Sequence, residues 1–140
     1  MVISRRLDLP SQAQLWDQET ARTLAVHSFS APSNRRFHLD RLGVERLLLE
    51  PFEPAALLEA LAERGCNQVL WECGPELAAA ALRQGCVQEL AAVIAPTLLG
   101  GHPARTPLGD LDLLDVNQAS RWNGEHLQRL GPDLLWRLRA

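Results

Sequence analysis

The ten residues from Gln68 to Leu77 constrain the fold most, because an apolar strand pattern leads directly into the start of a helix. Residues 68–72 (Gln-Val-Leu-Trp-Glu) predict a short strand, buried at Val69, Leu70 and Trp71. Pro75 predicts the first turn of a helix, where its missing N–H costs no hydrogen bond. Gly74, between them, allows a ligand or another backbone to approach without meeting a Cβ atom. The segment therefore predicts a strand–turn–helix unit.

The start of this predicted helix is a candidate anion site. The first N–H groups of a helix have no intrahelical partner, and the helix dipole adds partial positive charge there. At the carboxyl end of a strand, such groups commonly bind phosphate. Glu72 stands at the end of the strand, beside that site. An ordinary strand–turn–helix joint of an α/β protein has the same residues, so both interpretations stay open at this point.

The rest of the chain predicts alternating strands and helices. Strands are predicted at residues 1–4, 23–27, 44–49 and 89–95, helices at 54–64 and 75–84, a polar surface loop at 28–40, a flexible turn at 98–101, and a C-terminal hairpin of strands 125–130 and 134–139. Strands separated by helices at this spacing suit parallel βα units, and the hairpin adds antiparallel strands. The sequence therefore predicts one α/β domain over residues 1–140, with a mixed, mostly parallel sheet.

Composition excludes several classes of protein. Hydrophobic residues make up 46% of the chain, enough for a core, and the net charge of −3 comes without a basic patch. Nucleic acid and anionic membranes are therefore not expected as partners. The longest apolar run, residues 90–99, is interrupted by Pro96 and is too short to span a bilayer. The first residues lack the order of a signal peptide, and three cysteines without a CxxC pair suit a reducing cytosol. We expect a cytoplasmic protein.

The histidines and cysteines predict no metal or redox site. The four histidines show no metal-ligand spacing and are expected on the surface or in loops: His27, His38, His102 and His126. The cysteines are expected to be buried or half-buried thiols.

Several runs of the sequence resemble a known family. These are Val69–Ala78, Leu82–Leu90, Ala95–Gly101 and Gly131–Arg139, and the opening Met1–Pro10 resembles a strand and loop from the middle of the same domain. In this order they are similar to the reductase domain of the bifunctional riboflavin-biosynthesis deaminase-reductase. The resemblance covers most of the chain and is weak between Trp16 and Glu50.

The resemblance implies a dihydrofolate-reductase-like three-layer fold and NADPH as cofactor. The implied reaction reduces the ribosyl group of a phosphorylated aminouracil to a ribityl group. By this resemblance Glu72 contacts the substrate. The residues that match the family's binding turn for the NADP phosphates are Gly74, Pro75, Glu76, Leu77, Ala78, Ala79 and Ala80. Members of the family commonly assemble as oligomers, so a homo-oligomer or a partner subunit is expected.

The sequence departs from the family in three ways. The family's domain begins with a strand and helix region, carrying a Lys and a Ser-Leu-Asp-Gly-type turn, that has no counterpart here. Without it, we expect the sheet to lose strands and expose an edge. Cys73 stands where Gly or Ala is usual, and Ser4 and Gln88 stand where acidic residues are common. Two alternatives therefore remain: a non-catalytic remnant or accessory subunit that keeps the phosphate turn, and a reductase of a pterin or dihydrofolate type.

Overall fold

The computed structural model of the protein describes residues 1–98, 100 and 106–140. They fold into two compact units, residues 1–67 and residues 68–140. The single domain over residues 1–140 stays a prediction. None of the described helices is both long and apolar enough to cross a membrane.

The first unit contains a three-stranded parallel sheet. Its elements are β1 (Val2–Ile3), β2 (Leu24–His27), α1 (Ser33–Arg41), β3 (Glu45–Leu48) and α2 (Pro54–Ala62), with a short 3-10 turn at Gln14–Trp16. The strand order is β1-β2-β3, so β2 lies in the middle. The predicted strands at 23–27 and 44–49 and the predicted helix at 54–64 are confirmed within two residues at each end.

The core of the first unit surrounds the middle strand. Ala25 and Val26 on β2 are completely buried, as expected for a strand covered on both faces. Trp16 and Leu39 pack in the same cluster as Ala25. On α2, Leu57 is 1% exposed and contributes the buried side of the apolar pattern that predicted this helix.

Two predictions for the first unit are wrong. Residues 28–40 are not a surface loop throughout, because α1 begins at Ser33. This helix has a weak apolar pattern, and its stability comes from tertiary packing, chiefly of the buried Leu39. His27 is not a surface residue, because it lies on the middle strand β2 and is 2% exposed.

The second unit contains one helix and a three-stranded antiparallel sheet. Its elements are α3 (Pro75–Arg83), β4 (Glu89–Ile94), β5 (Asn123–Leu130) and β6 (Asp133–Arg139), with a 3-10 turn at Val116–Gln118. The strand order is β4-β6-β5. The predicted helix at 75–84 and the C-terminal hairpin are confirmed. The hairpin closes through Gly131, whose φ of 59° suits a tight two-residue turn.

The predicted strand at residues 68–72 is wrong. These residues form no ladder with another described strand. Their apolar side chains alternate nonetheless, since Val69 and Trp71 are half-buried and Leu70 is 80% exposed. A segment with an apolar pattern forms a strand only when a neighbouring strand pairs with its backbone N–H and C=O groups. Among the described residues, no strand pairs with this segment. The turn predicted at residues 98–101 lies partly outside the described residues, and His102 lies outside them.

Candidate functional site

The first turn of α3 presents backbone N–H groups that have no partner among the residues that the structure describes. Gly74 precedes the helix in an extended conformation, with φ −71° and ψ 169°, and no side chain caps this end. The N–H of Ala78 donates to the carbonyl oxygen of Gly74 at 3.1 Å and closes the turn. Pro75 has no N–H, and those of Glu76 and Leu77 have no hydrogen-bond partner among the described residues. The turn therefore offers at least two donors to an incoming acceptor.

The space beside Gly74 is open. A Cβ atom built at this position would meet no heavy atom within 4 Å. The backbone angles of Gly74 are those that any residue adopts, so the conformation itself does not require glycine. Glycine here instead leaves room in front of the two free N–H groups, as close approach of a bulky anion would need.

Two carboxylates lie close in sequence to these donors. Glu72 is exposed and has no hydrogen bond or ion pair with any described residue. Glu76, in the first turn of α3, is also exposed. A carboxylate in this position interacts favourably with the helix dipole, and it also repels a second anion. Glu72 is therefore free to accept hydrogen bonds from a ligand.

The remaining predicted residues contribute packing more than donors. Ala79 is 1% exposed, and Ala78 and Ala80 are half-buried. The N–H of Ala78 is already paired with Gly74, as described above, and those that follow lie inside the helix. Cys73 is half-buried next to Gly74, and its burial raises the pKa of the thiol. The thiol therefore stays neutral at physiological pH and adds no charge beside the turn.

A segment that the sequence did not single out lies against α3. We name residues 106–112 the strap. The N–H of Gly109 donates to the carbonyl oxygen of Pro75 at 2.9 Å, and Arg83 Nη1 lies 3.2 Å from Asp112 Oδ2. The only signal in the sequence is the pair of turn formers, Pro107 and Gly109, which predicts a loop but not its packing partner.

A second polar cluster lies at the carboxyl ends of the strands in the first unit. The Ser28 hydroxyl and N–H both donate to the carbonyl oxygen of Arg5, each at 3.1 Å. The guanidinium of Arg5 lies 4.7 Å from the centre of the Phe52 ring. The N–H of Phe29 donates to Glu50 Oε1 at 2.8 Å. Carboxyl ends of parallel strands are common ligand sites, although none of these residues was predicted from the sequence.

A cavity of about 250 Å³ opens between α1 and the loop that follows β1. Its lining includes Trp16, Asn34, Arg35 and His38. The Nε2 atom of His38 is buried and has no hydrogen-bond partner in the described part of the chain. None of the residues predicted to bind substrate or cofactor lines this cavity. Among the described residues, no group of three His, Cys, Asp or Glu side chains is arranged to hold a metal ion.

Comparison with known proteins identifies the family. The model of the family described as the RibD C-terminal domain matches residues 1–136. The riboflavin biosynthesis protein RibD of Synechocystis sp. is 46% identical over 136 residues, which are 97% of this chain and 37% of the relative. The chloroplastic riboflavin biosynthesis protein PYRR of Arabidopsis thaliana is 33% identical, over 96% of this chain and 22% of the relative. The chain thus spans well under half the length of these relatives.

Solved structures agree with this family. Acinetobacter baumannii RibD, form 2, superimposes with a TM-score of 0.81 at 30% identity, covering 98% of this chain and 36% of that one. The deaminase/5-amino-6-(5-phosphoribosylamino)uracil reductase of Thermotoga maritima gives a TM-score of 0.70 at 17% identity and supports the fold alone. The predicted α/β, dihydrofolate-reductase-like fold class is confirmed.

Proposed function

The chain belongs to the RibD C-terminal domain family, and on that premise we propose that it is a reductase of riboflavin biosynthesis or part of one. The proposed substrate is the phosphorylated aminouracil 5-amino-6-(5-phosphoribosylamino)uracil, and the proposed cofactor is NADPH. The observation that carries the proposal is the uncapped first turn of α3, where the N–H groups of Glu76 and Leu77 are free beside the open space at Gly74.

The residues of this turn fit the pyrophosphate of a dinucleotide. Anionic oxygens accept hydrogen bonds from helix N-terminal amides and gain from the helix dipole. Of the proposed contacts, Gly74 would supply room, and Glu76 and Leu77 would supply donors. Pro75, Ala78, Ala79 and Ala80 would hold the turn in its helical conformation. When bound, NADPH supplies the hydride that reduces the ribosyl carbon.

Hydride transfer from the cofactor requires no covalent chemistry from the side chains of the protein. They must hold the reacting carbons in line and keep water away, and no nucleophile is required. Glu72 is exposed and unpaired in the described structure. Its carboxylate accepts hydrogen bonds only, so we assign to it the role of orienting a hydroxyl or amine of the substrate.

Assembly and location are part of the same proposal. We infer a cytoplasmic protein that functions as a homo-oligomer or with a partner subunit. Support for assembly comes from exposed apolar side chains at two places, the segment 69–72, which pairs with no described strand, and the edge strand β4. Leu70 is 80% exposed, and Val93 on β4 is 62% exposed. Exposed apolar strands commonly pair with another chain.

A second candidate function is a non-catalytic or accessory subunit that keeps the phosphate turn. The observation that favours it is the segment at residues 69–72, which ends at Glu72 and has no ladder partner among the described residues. A site on an unpaired segment is held less rigidly than one on a strand inside a sheet. The reductase and the accessory subunit differ in turnover rather than in cofactor binding.

The experiment that separates these functions is a turnover assay with the purified 140-residue chain. We expect the absorbance of NADPH to fall only when the phosphorylated aminouracil is present, and the product to carry a ribityl group. NADPH binding without turnover would favour the accessory subunit. A chain that shows no binding and no turnover at millimolar NADPH would contradict both functions.

A further inference from the structure

The strap, residues 106–112, contacts both ends of α3. Near the start of the helix, the N–H of Gly109 donates to the carbonyl oxygen of Pro75 at 2.9 Å. Near its end, Arg83 donates to the carbonyl oxygen of Asp110 and forms an ion pair with Asp112 at 3.2 Å. Nine helical residues extend about 13 Å. Gly109 and Asp110 are adjacent in the chain, so the long side chain of Arg83, reaching toward the start of the helix, spans most of this distance.

The backbone of Gly109 lies close against the first turn of α3. A Cβ atom at this position would lie 3.1 Å from the carbonyl oxygen of Pro75, 3.3 Å from its carbonyl carbon and 3.5 Å from the Cα of Glu76. All three neighbours are backbone atoms, which cannot turn aside as the end of a side chain can. Any larger residue at position 109 must move either the strap or the first turn of α3.

The Gly109 hydrogen bond is made to the peptide group between Pro75 and Glu76, which also carries one of the free N–H groups of the candidate site. The carbonyl oxygen of Pro75 and the N–H of Glu76 belong to one planar peptide unit and point in opposite directions. A hydrogen bond that holds the carbonyl therefore also orients the N–H. The same bond polarises the peptide and strengthens its N–H as a donor. Gly109 is thus coupled to one of the two free donors of the turn.

We propose that the strap positions the phosphate-binding turn of α3, with Gly109 as the positioning residue and Arg83 as a secondary anchor. The proposal rests on the proposed function only in that the anion is the pyrophosphate of NADPH. Gly109 does not touch the cofactor in this account. It acts through the peptide between Pro75 and Glu76.

The test compares the dissociation constant for NADPH among variants of the 140-residue chain. Gly109→Ala is expected to raise this constant about tenfold, the loss of one hydrogen bond to a charged group. Arg83→Gln is expected to raise it only about two- to threefold, because exposed ion pairs contribute little. The matched control is Arg139→Gln, which breaks another exposed pair, with Glu125 at 3.3 Å on the β5–β6 hairpin. It is expected to leave the constant unchanged.

Binding stoichiometry separates positioning from simple stabilisation. A variant that only unfolds more easily loses binding sites per chain, and the remaining sites keep the wild-type dissociation constant. A positioning role raises the dissociation constant at full stoichiometry. The exchange rate of the Ala78 amide, which closes the first turn, gives a second measurement that needs no cofactor. It is expected to increase in Gly109→Ala and not in Arg139→Gln.

These two measurements keep the inference and the proposed function apart. If the wild-type chain does not bind NADPH, the proposed function fails and Ala78 exchange alone decides whether Gly109 holds the turn. If Gly109→Ala keeps both the wild-type dissociation constant and the wild-type exchange rate, the positioning role is overturned. If Gly109→Ala does not fold, the comparison of Arg83→Gln with Arg139→Gln decides, by the dissociation constant for NADPH and the exchange rate of the Ala78 amide.

Discussion

Nη1 of Arg46 lies 3.3 Å from Nε2 of the buried His27. A guanidinium can only donate, so Nε2 accepts and the proton of the neutral ring is on Nδ1. Nδ1 lies 2.9 Å from the carbonyl oxygen of Ser28, to which it donates. Arg46 is held in turn by Asp40, with 2.7 Å between Nε and Oδ1. The histidine thus joins the end of β2 to β3 through a chain of hydrogen bonds.

We predict that His27→Ala lowers the free energy of unfolding by about 2–4 kcal/mol, because it leaves a cavity and two unpaired polar groups. The measurement is a denaturant titration of both proteins. The matched control is His126→Ala on the exposed strand β5, which is expected to stay within about 0.5 kcal/mol of wild type. Nitrogen chemical shifts showing a proton on Nε2 of His27 would contradict the hydrogen-bond chain.

The two neighbouring leucines of α2 provide a second stability test. Leu57 is 1% exposed, whereas Leu58 is only half-buried. Leu57→Ala is expected to lower the free energy of unfolding by about 2–5 kcal/mol. Leu58→Ala is expected to lower it clearly less, because folding buries a smaller apolar area of the Leu58 side chain. Equal losses in urea unfolding would show that the helix does not pack on the face described here.

The cysteines are predicted to differ in their reaction with iodoacetamide. Burial raises the pKa of Cys73 and of Cys86, whereas Cys66 is exposed. Cys66 is therefore expected to react first, with Cys73 and Cys86 following at higher pH, since the thiolate is the nucleophile. Mass spectrometry of peptides gives the order, and early alkylation of Cys86 at neutral pH would contradict it.

The same pKa values affect stability at alkaline pH. The folded chain keeps the two thiol protons to a higher pH than the unfolded chain does. Stability is therefore expected to fall as the pH rises through the ordinary range of a cysteine thiol toward the raised values. A Cys86→Ala variant, which removes one of these groups, is expected to show a smaller fall.

Glu76 places a negative charge at the candidate phosphate site. We predict that Glu76→Gln strengthens NADPH binding by about two- to fivefold at low salt, because it removes repulsion while leaving the backbone N–H in place. The gain is expected to shrink at high salt, where exposed charges are screened. Titrations at two salt concentrations measure it. Weaker binding in Glu76→Gln would show that the carboxylate itself contacts the cofactor.

The sequence predicts those elements whose boundaries depend on local chemistry. Pro54 and Pro75 mark the starts of α2 and α3 correctly, and Gly131 marks the hairpin turn. These residues act through their own backbone preferences, so no knowledge of distant contacts is needed.

Elements that depend on a distant partner are predicted less well. Residues 69–72 have the apolar pattern of a strand but lack a neighbour that pairs with them in the described structure. Helix α1 depends on burial of Leu39 more than on its own pattern. The close contact of Gly109 with Pro75 joins residues 34 positions apart, and the sequence around either residue does not predict it. The start of the candidate site is therefore predictable from sequence, and its support is not.

The affinity of Gly74→Asp for NADPH tests the central claim most directly. Asp at this extended position is a favoured helix cap, and its carboxylate would accept from the N–H of Glu76 or Leu77. We therefore predict that stability rises by a few tenths of a kcal/mol, while the dissociation constant for NADPH rises at least about tenfold. Gly74→Ala, which cannot cap, serves as the control. An unchanged NADPH affinity in a well-folded Gly74→Asp chain would contradict the account, because the dinucleotide would then bind elsewhere.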